Sequence, residues 1–224
     1  PFYILREAWN ILNAIAEGKI ESGDEKKLNA LKGETMAVIA LCQFDLTRCF
    51  GYPYTKDKGA SLGAPLIDHL VGTYENPPRS TVAQAYDFII ETLEEAVTLM
   101  SEEKNNGRMN KYAARALLAR IYLYHDDNRK AFDLADQLIK DADTSGSYAL
   151  YPHEKYVAAW SVEAKFGSES FFEIANSVDD TPGRDSWGYL LNWYGYQKGF
   201  VTQKYAEQML ADPGDVRGQL LEEN

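Results

Sequence analysis

Two cysteines are all this sequence offers for covalent cross-linking, and they are badly placed to meet. Cys42 and Cys49 lie seven positions apart in a helical pattern, which separates their backbones by roughly 10 Å along the axis, beyond disulfide reach. Both are expected as small buried apolar residues. Histidine is nearly as scarce. His69, His125 and His153 are the full set, and none falls in a metal-ligand spacing. Basic residues are few: Lys and Arg total 23 against 34 Asp and Glu, a net charge of −11. No run of Lys or Arg builds the positive surface that nucleic acid or an anionic membrane requires. Long apolar runs are missing too. The longest candidate, 36–41, is six residues, against the roughly 18 of a membrane span.

Catalytic signatures are equally thin. Neither a Ser-His-Asp nor a Cys-His arrangement has a recognisable local motif. Thirty-four acidic residues guarantee chance carboxylate pairs, so no glycosidase pair stands out. The run Asp141-x-Asp143-x-Ser145-Gly146 resembles the start of a calcium loop, but Pro152 occupies the position where a bidentate Glu is required; it reads as a helix end and turn. His125-Asp126-Asp127 reads as a turn and cap. From these residues no catalytic residue, metal or cofactor is expected.

What is present is helical periodicity. Phe2, Leu5, Ala8, Trp9, Leu12 and Ile15 mark one face of a first helix stopped by Gly18. A long helix over 26–50 carries a broad apolar middle that implies cover on more than one side, and Gly51 and Pro53 end it. Residues 51–80, rich in Gly and Pro, form a long loop of the kind that tends to be functional or disordered. Thr81-x-x-Gln84 opens a third helix as a capping box. Asn110 caps a fourth, and Asp127 or Asn128 a fifth after a turn short enough to force the two antiparallel. In that fifth helix Ala131, Phe132, Ala135, Leu138 and Ile139 are expected on the inner face. After Ser145 the character changes. The stretches 147–151, 156–160 and 170–175 suggest irregular structure with one or two short strands, 183–199 a second long loop dense in aromatics, and 203–211 a last short helix. The expected organisation is a helical scaffold over 1–146 and an aromatic-rich region over 147–224 packing on it. Pro1 is not an initiator methionine and the last residues show no obvious domain end, so further chain is expected on both sides.

Residues 111–144 are one 34-residue tetratricopeptide period, with Leu118, Ala119, Tyr122 and Ala131 at the repeat's preferred positions, Arg115 at its Trp position and no terminal Pro. Around it, ETMAVIALCQFDLTRCFGYP (34–53), PRSTVAQAYDFIIETLEEAVTL (78–99), GRMNKYAARALLARIYLY (107–124) and ESFFEI (169–174) follow in an order that resembles the SusD/RagB family of outer-membrane nutrient-binding lipoproteins. The resemblance covers essentially the whole chain and corresponds to the N-terminal and middle part of that family. It implies a mainly α fold of tetratricopeptide-like helical hairpins with long irregular loops. It further implies a cell-surface lipoprotein, held to the outer membrane by a lipid anchor only, that binds oligosaccharides without cleaving them. Its partner would be a SusC-like, TonB-dependent transporter that receives the bound sugar. The lipid-bearing Cys of the family is not in this sequence.

Sugar capture needs aromatic faces for C–H stacking and polar groups for hydroxyls. Trp187, Tyr189, Trp193, Tyr194, Tyr196 and Phe200 crowd into one stretch with Arg184, Asn192 and Gln197. Trp187, Asn192, Trp193, Tyr194 and Tyr196 are the first candidates for ligand contact, with Tyr54 and Tyr74 in the earlier loop as second. Two other readings compete: a tetratricopeptide-like adaptor gripping a peptide through Asn110, Lys111 or Arg115, and a glycan-cleaving enzyme.

Overall fold

A 26-residue helix is the axis of the first half of the protein. This helix, α2 (Glu25–Phe50), starts where the Asp24 carboxylate accepts the Lys26 and Lys27 amides, and ends at Gly51 ahead of a proline. Its middle is buried around most of its circumference, through Met36, Ala37, Ile39, Ala40, Cys42, Gln43, Phe44, Leu46 and Thr47, as the breadth of its apolar run predicts. Two buried hydroxyls are satisfied within the helix: Thr35 and Thr47 each donate to the carbonyl four residues back, at 2.8 Å. The computed structural model describes residues 1–20, 22–161, 165–177, 179–191 and 194–221, and it divides into two units, Pro1–Ser147 and Tyr148–Asn224.

In the first unit α1 (Phe2–Ala16) packs on one side of α2, and α3 (Val82–Leu99) packs most extensively on another. The capping box at Thr81 and Gln84 is formed reciprocally, fixing where α3 begins. Helix α4 (Lys111–Tyr124) starts at Asn110, whose side chain accepts the Ala113 amide, and α5 (Asn128–Ser145) at Asp127, which accepts the Lys130 amide. The turn between them holds Asp126 at φ 70, and the two helices pack against each other. Arg115 of α4 reaches Asp141 of α5 at 2.7 Å. The protein is thus mainly α, with the predicted hairpins.

The excursion between α2 and α3 is more ordered than a loop. Tyr54–Lys56 forms a 3-10 turn, and β1 (Leu62–Pro65) pairs antiparallel with β2 (Arg79–Thr81). Leu5, Ala8, Ile39, Cys42, Leu46, Ala64 and Ile67 close into one core cluster, so this excursion is sewn to α1 and α2.

Several expectations are corrected here. Cys49 is exposed and only Cys42 is buried: the two lie on nearly the same face of α2, but the packing on that face ends at Thr47 and leaves the last three residues of the helix exposed. On α5, Ala131, Leu138 and Ala142 are buried, whereas Phe132 and Ile139 stand 64% and 68% exposed. The apolar stripe of α5 is wider than the strip α4 covers, and α4 meets its alanine edge. The one sheet among the described residues lies at 62–65 and 79–81, not within 147–175. There the second unit forms 3-10 turns at His153–Lys155 and Ala158–Trp160. The 183–199 stretch includes a short helix, α6 (Trp187–Leu191), before α7 (Gln203–Leu210), which Thr202 caps.

Candidate functional site

Among the described residues, exposed aromatics that coincide with the candidate segments lie at two places in the first unit and one in the second. The C-terminal end of α2 gathers the largest group. Phe44 meets Tyr86 and Tyr124 edge-on, with centroids 6.2 Å and 5.3 Å away, and Tyr54 packs on Tyr86 at 5.6 Å and His125 at 4.3 Å. Arg48 lies over Phe44 and Tyr124, 4.7 Å and 5.5 Å from their centroids, and is paired with Asp45 at 2.5 Å. That hydrogen bond holds the guanidinium more firmly protonated than usual. Burial pushes the Tyr86 phenol up to about 12, so it is a packing ring with no acid–base role at physiological pH. At the rim Phe50, Tyr52 and Tyr124 are exposed, and the Lys56 ammonium sits 3.0 Å from the Tyr52 ring centroid. This gives open ring faces beside a fixed guanidinium and an ammonium, a combination that can stack on a sugar face and bond its hydroxyls.

The candidate Tyr54 therefore spends most of its ring on Tyr86 and His125 and is half-buried. The segment carrying it is held by the Gly59 and Ala83 amides, which donate to the Tyr54 and Gly59 carbonyls at 3.1 Å and 2.9 Å. A side chain at Gly59, where φ is +74, would run into the Tyr54 ring and the Ala83 amide. Rings at Tyr52 and Tyr124 are better exposed than the one sequence reasoning chose. Their signal was available in the GYPY run and at the end of α4, but composition alone does not say which ring faces outward.

The second feature is the connection between β1 and β2. It is anchored at its start, where Gln43 donates to Pro65 O at 3.1 Å and accepts from the Ile67 amide at 3.2 Å, while the Trp9 indole donates to Ile67 O at 3.2 Å. Further along, Tyr74 projects with 95% of its surface exposed. A cleft of about 610 Å³ beside it is lined by Leu66, His69, Pro78, Asp87 and Phe88 among others. Hydrogen bonds to Asp68 and then Glu75 raise the His69 pKa above the ordinary histidine value, and Glu75 is lowered first by the Gly72 amide and then by His69.

The third feature belongs to the second unit. Trp187 and Tyr194 are 76% and 72% exposed, Tyr196 and Phe200 are exposed as well, and Tyr189 meets Tyr196 edge-on at 5.2 Å. The Tyr196 and Lys198 amides donate to Tyr189 O and Leu190 O at 2.9 Å, folding the segment back on α6. Trp187, Tyr194 and Tyr196 thus lie on one compact turn. Asn192 and Trp193, the remaining candidates there, lie outside the described residues.

The residues on which a peptide-gripping reading leaned are otherwise engaged: Arg115 with Asp141, Lys111 with Glu102 at 3.3 Å, and Asn110 as the α4 cap. Among the described residues no group of three or more His, Cys, Asp and Glu is placed to hold a metal, and no helix is long and apolar enough to cross a membrane.

Comparison with known proteins gives a consistent result. The SusD-like family described as "Starch-binding associating with outer membrane" matches residues 3–123. A putative sugar binding protein from Bacteroides vulgatus is 37% identical over 100% of this chain and 50% of its own, with a TM-score of 0.89. A SusD superfamily protein from Bacteroides thetaiotaomicron is 34% identical over 99% of this chain and 49% of its own, with a TM-score of 0.86. A laminarin binding SusD-like protein shares the fold at 22% identity and a TM-score of 0.60, over 83% of this chain and 38% of its own. No curated protein matches. The chain spans about half the length of the first two of these structures.

Proposed function

This chain belongs to the SusD-like family, and from that membership we propose that the protein binds oligosaccharides at the cell surface without cleaving them. It is anchored to the outer membrane by lipid and passes its ligand to a SusC-like, TonB-dependent transporter. The observation that carries this reading is the family match over residues 3–123, together with 37% identity across the full chain to a protein named for sugar binding. The exposed aromatics support it. Tyr52 and Tyr124 beside Arg48, Tyr74 on the β1–β2 connection, and Trp187, Tyr194 and Tyr196 on the α6 turn offer stacking faces with donors close by. Asn192 and Trp193 remain candidates for the same surface, and Tyr54 acts by holding Tyr86 and His125 in place.

Calorimetry with a panel of oligosaccharides on the full-length protein tests this reading. At least one should bind, with no new reducing ends released. Trp187→Ala and Tyr52→Ala should each weaken that ligand up to about tenfold, the loss of roughly 1–1.4 kcal/mol of stacking. Failure to bind any oligosaccharide, with both substitutions silent, overturns it.

A further inference from the structure

The connection from β1 to β2 spans residues 66–78, long for a link between two paired strands. Its first residues are pinned by Gln43 and Trp9. Beyond Ile67 the main chain makes few hydrogen bonds of its own, and the Val71 side chain packs against the core cluster. Among the described residues, the one main-chain hydrogen bond within 68–78 joins the Glu75 amide to Gly72 O at 3.1 Å. Side chains supply the rest. His69 Nδ1 lies 2.6 Å from Asp68 Oδ1 and His69 Nε2 lies 2.7 Å from Glu75 Oε1, while Glu75 Oε2 accepts the Gly72 amide at 3.0 Å.

That geometry fixes a protonation state. A neutral imidazole has one N–H and one lone pair, so it can donate to only one of two flanking carboxylates; the other nitrogen would face an oxygen with lone pair against lone pair. Only the imidazolium satisfies both, through charge-assisted bonds at the short distances observed. The wider surroundings agree. The clefts that His69 lines receive Asp87 and Glu91 from α3, Arg79 from β2 and Arg6 from α1. Arg79 is committed to Gly63 O and Leu62 O, and Arg6 to Glu7. Four carboxylates against two engaged guanidinium groups favour a positive ring.

We propose that Asp68, His69 and Glu75 form a protonation-dependent latch that holds residues 68–75, and with them the exposed Tyr74 ring, in one arrangement, and that it loosens when His69 loses its proton. The bond that closes the segment is the one to Glu75, six residues along the chain; the bond to Asp68 is between neighbours and closes nothing. Deprotonation leaves the ring one donor for two acceptors, so Glu75 is released or held only at the expense of Asp68. The folded state binds the proton more tightly than the unfolded chain, whose histidine titrates near 6.5. The latch is therefore fully closed below about pH 6.5 and is lost as pH rises through the higher folded-state value. Since the groups are half exposed, salt weakens it. The latch stands on its own geometry, whereas its effect on ligand rests on the reading of Tyr74 as a sugar-contact residue.

Imidazole and amide NMR titrations of the full-length protein between pH 5 and 9, with His69→Gln, Glu75→Gln and Asp68→Asn, test it. The expected result is a His69 midpoint above 6.5, the Gly72 amide shift following that midpoint, and faster exchange of the 70–76 amides above it than in the same protein below it, after correction for intrinsic base catalysis. His69→Gln should remove the midpoint from Gly72, and each carboxylate substitution should lower the His69 midpoint. A His69 midpoint at or below 6.5, or a Gly72 shift and loop protection that behave identically in wild type and His69→Gln, overturns the latch. Oligosaccharide affinity measured across the same range separates the two readings. A closed-to-open transition with unchanged affinity upholds the latch and removes Tyr74 from the sugar-contact surface.

Discussion

Gln43 is the side chain on which the ordering of the β1–β2 connection turns, and replacing it gives a graded test. Its amide is fully buried in the helix core, donating to Pro65 O and accepting from the Ile67 amide. Gln43→Met keeps the unbranched shape and removes both bonds, leaving the partly buried Pro65 carbonyl and the buried Ile67 amide without partners. Each such orphan costs about 1–3 kcal/mol, and the thioether returns about 1–2 kcal/mol through its apolar burial. Taking central values, about 2 kcal/mol per orphan less about 1.5 kcal/mol, the net expectation is a loss of roughly 2–3 kcal/mol, with the Ile67 amide exchanging much faster. Gln43→Glu separates the two bonds by pH. A protonated carboxyl can donate to Pro65 O and accept from Ile67 as the amide does, but a carboxylate cannot donate and is desolvated. The introduced carboxyl would therefore carry a raised folded-state pKa. Its stability deficit is small below the unfolded value of about 4.3 and grows as pH rises toward the folded value, at about 1.4 kcal/mol per unit of separation. Urea unfolding midpoints at pH 4 and pH 7.5, with amide exchange at Ile67, read both variants. A Met variant as stable as wild type, or a Glu variant whose deficit does not change between the two pH values, would refute the assignment of Gln43 as the anchor.

Two further outcomes follow from α2. A Cβ on Gly33 would lie 2.7 Å from Met100 Cγ and 2.9 Å from Ala96 O. The crowding of about 1–3 kcal/mol should therefore outweigh the roughly 1 kcal/mol of helix propensity that Gly33→Ala gains, and a raised unfolding midpoint would show that α2 and α3 do not approach this closely. Cys49 is exposed while Cys42 is buried with its thiol pKa pushed up by desolvation. Alkylation of the native protein at pH 8 followed by peptide mass mapping should mark Cys49 rapidly and Cys42 only on unfolding, and equal rates would show that the covering of α2 does not stop between the two positions.

How much of the fold is legible in the sequence depends on whether the signal is local. Helix starts are, because a cap is a contact between residues two or three apart. Thr81 with Gln84 and Asn110 with Ala113 could each be read directly, and the start of α5 was narrowed to Asp127 or Asn128, of which Asp127 accepts the Lys130 amide. Periodicity finds the apolar face of a helix but not how much of it a neighbour covers. Phe132 and Ile139 have the spacing of core residues, yet α4 packs along Ala131, Leu138 and Ala142 and leaves them out. The same limit misplaced Cys49. Strand pairing between 62–65 and 79–81 was missed because a four-residue and a three-residue strand carry no alternation long enough to see, and the strands that pair are separated by thirteen residues of connection.

The candidate site divides along the same line. Aromatic density correctly marks the segment around α6 as a place where rings gather, and there Trp187 and Tyr194 face outward. In the excursion after α2, however, three tyrosines of similar local context diverge: Tyr52 is free on one face, Tyr54 is consumed by Tyr86 and His125, and Tyr74 stands almost wholly in solvent. Spacing does not distinguish these fates, because they depend on how the chain folds: Tyr54 is covered by Tyr86 of α3 and His125 at the α4 terminus, Tyr52 has Lys56 folded over one face, and Tyr74 meets no neighbour that covers it. His69 shows this most clearly. By spacing alone it is an unremarked histidine without metal-ligand company, and its significance appears only when the chain folds Glu75 back across six residues to meet the nitrogen that Asp68 leaves open. A ring available for sugar stacking is therefore a property of the supporting contacts, and substitutions at those supports should alter binding even though they do not touch ligand.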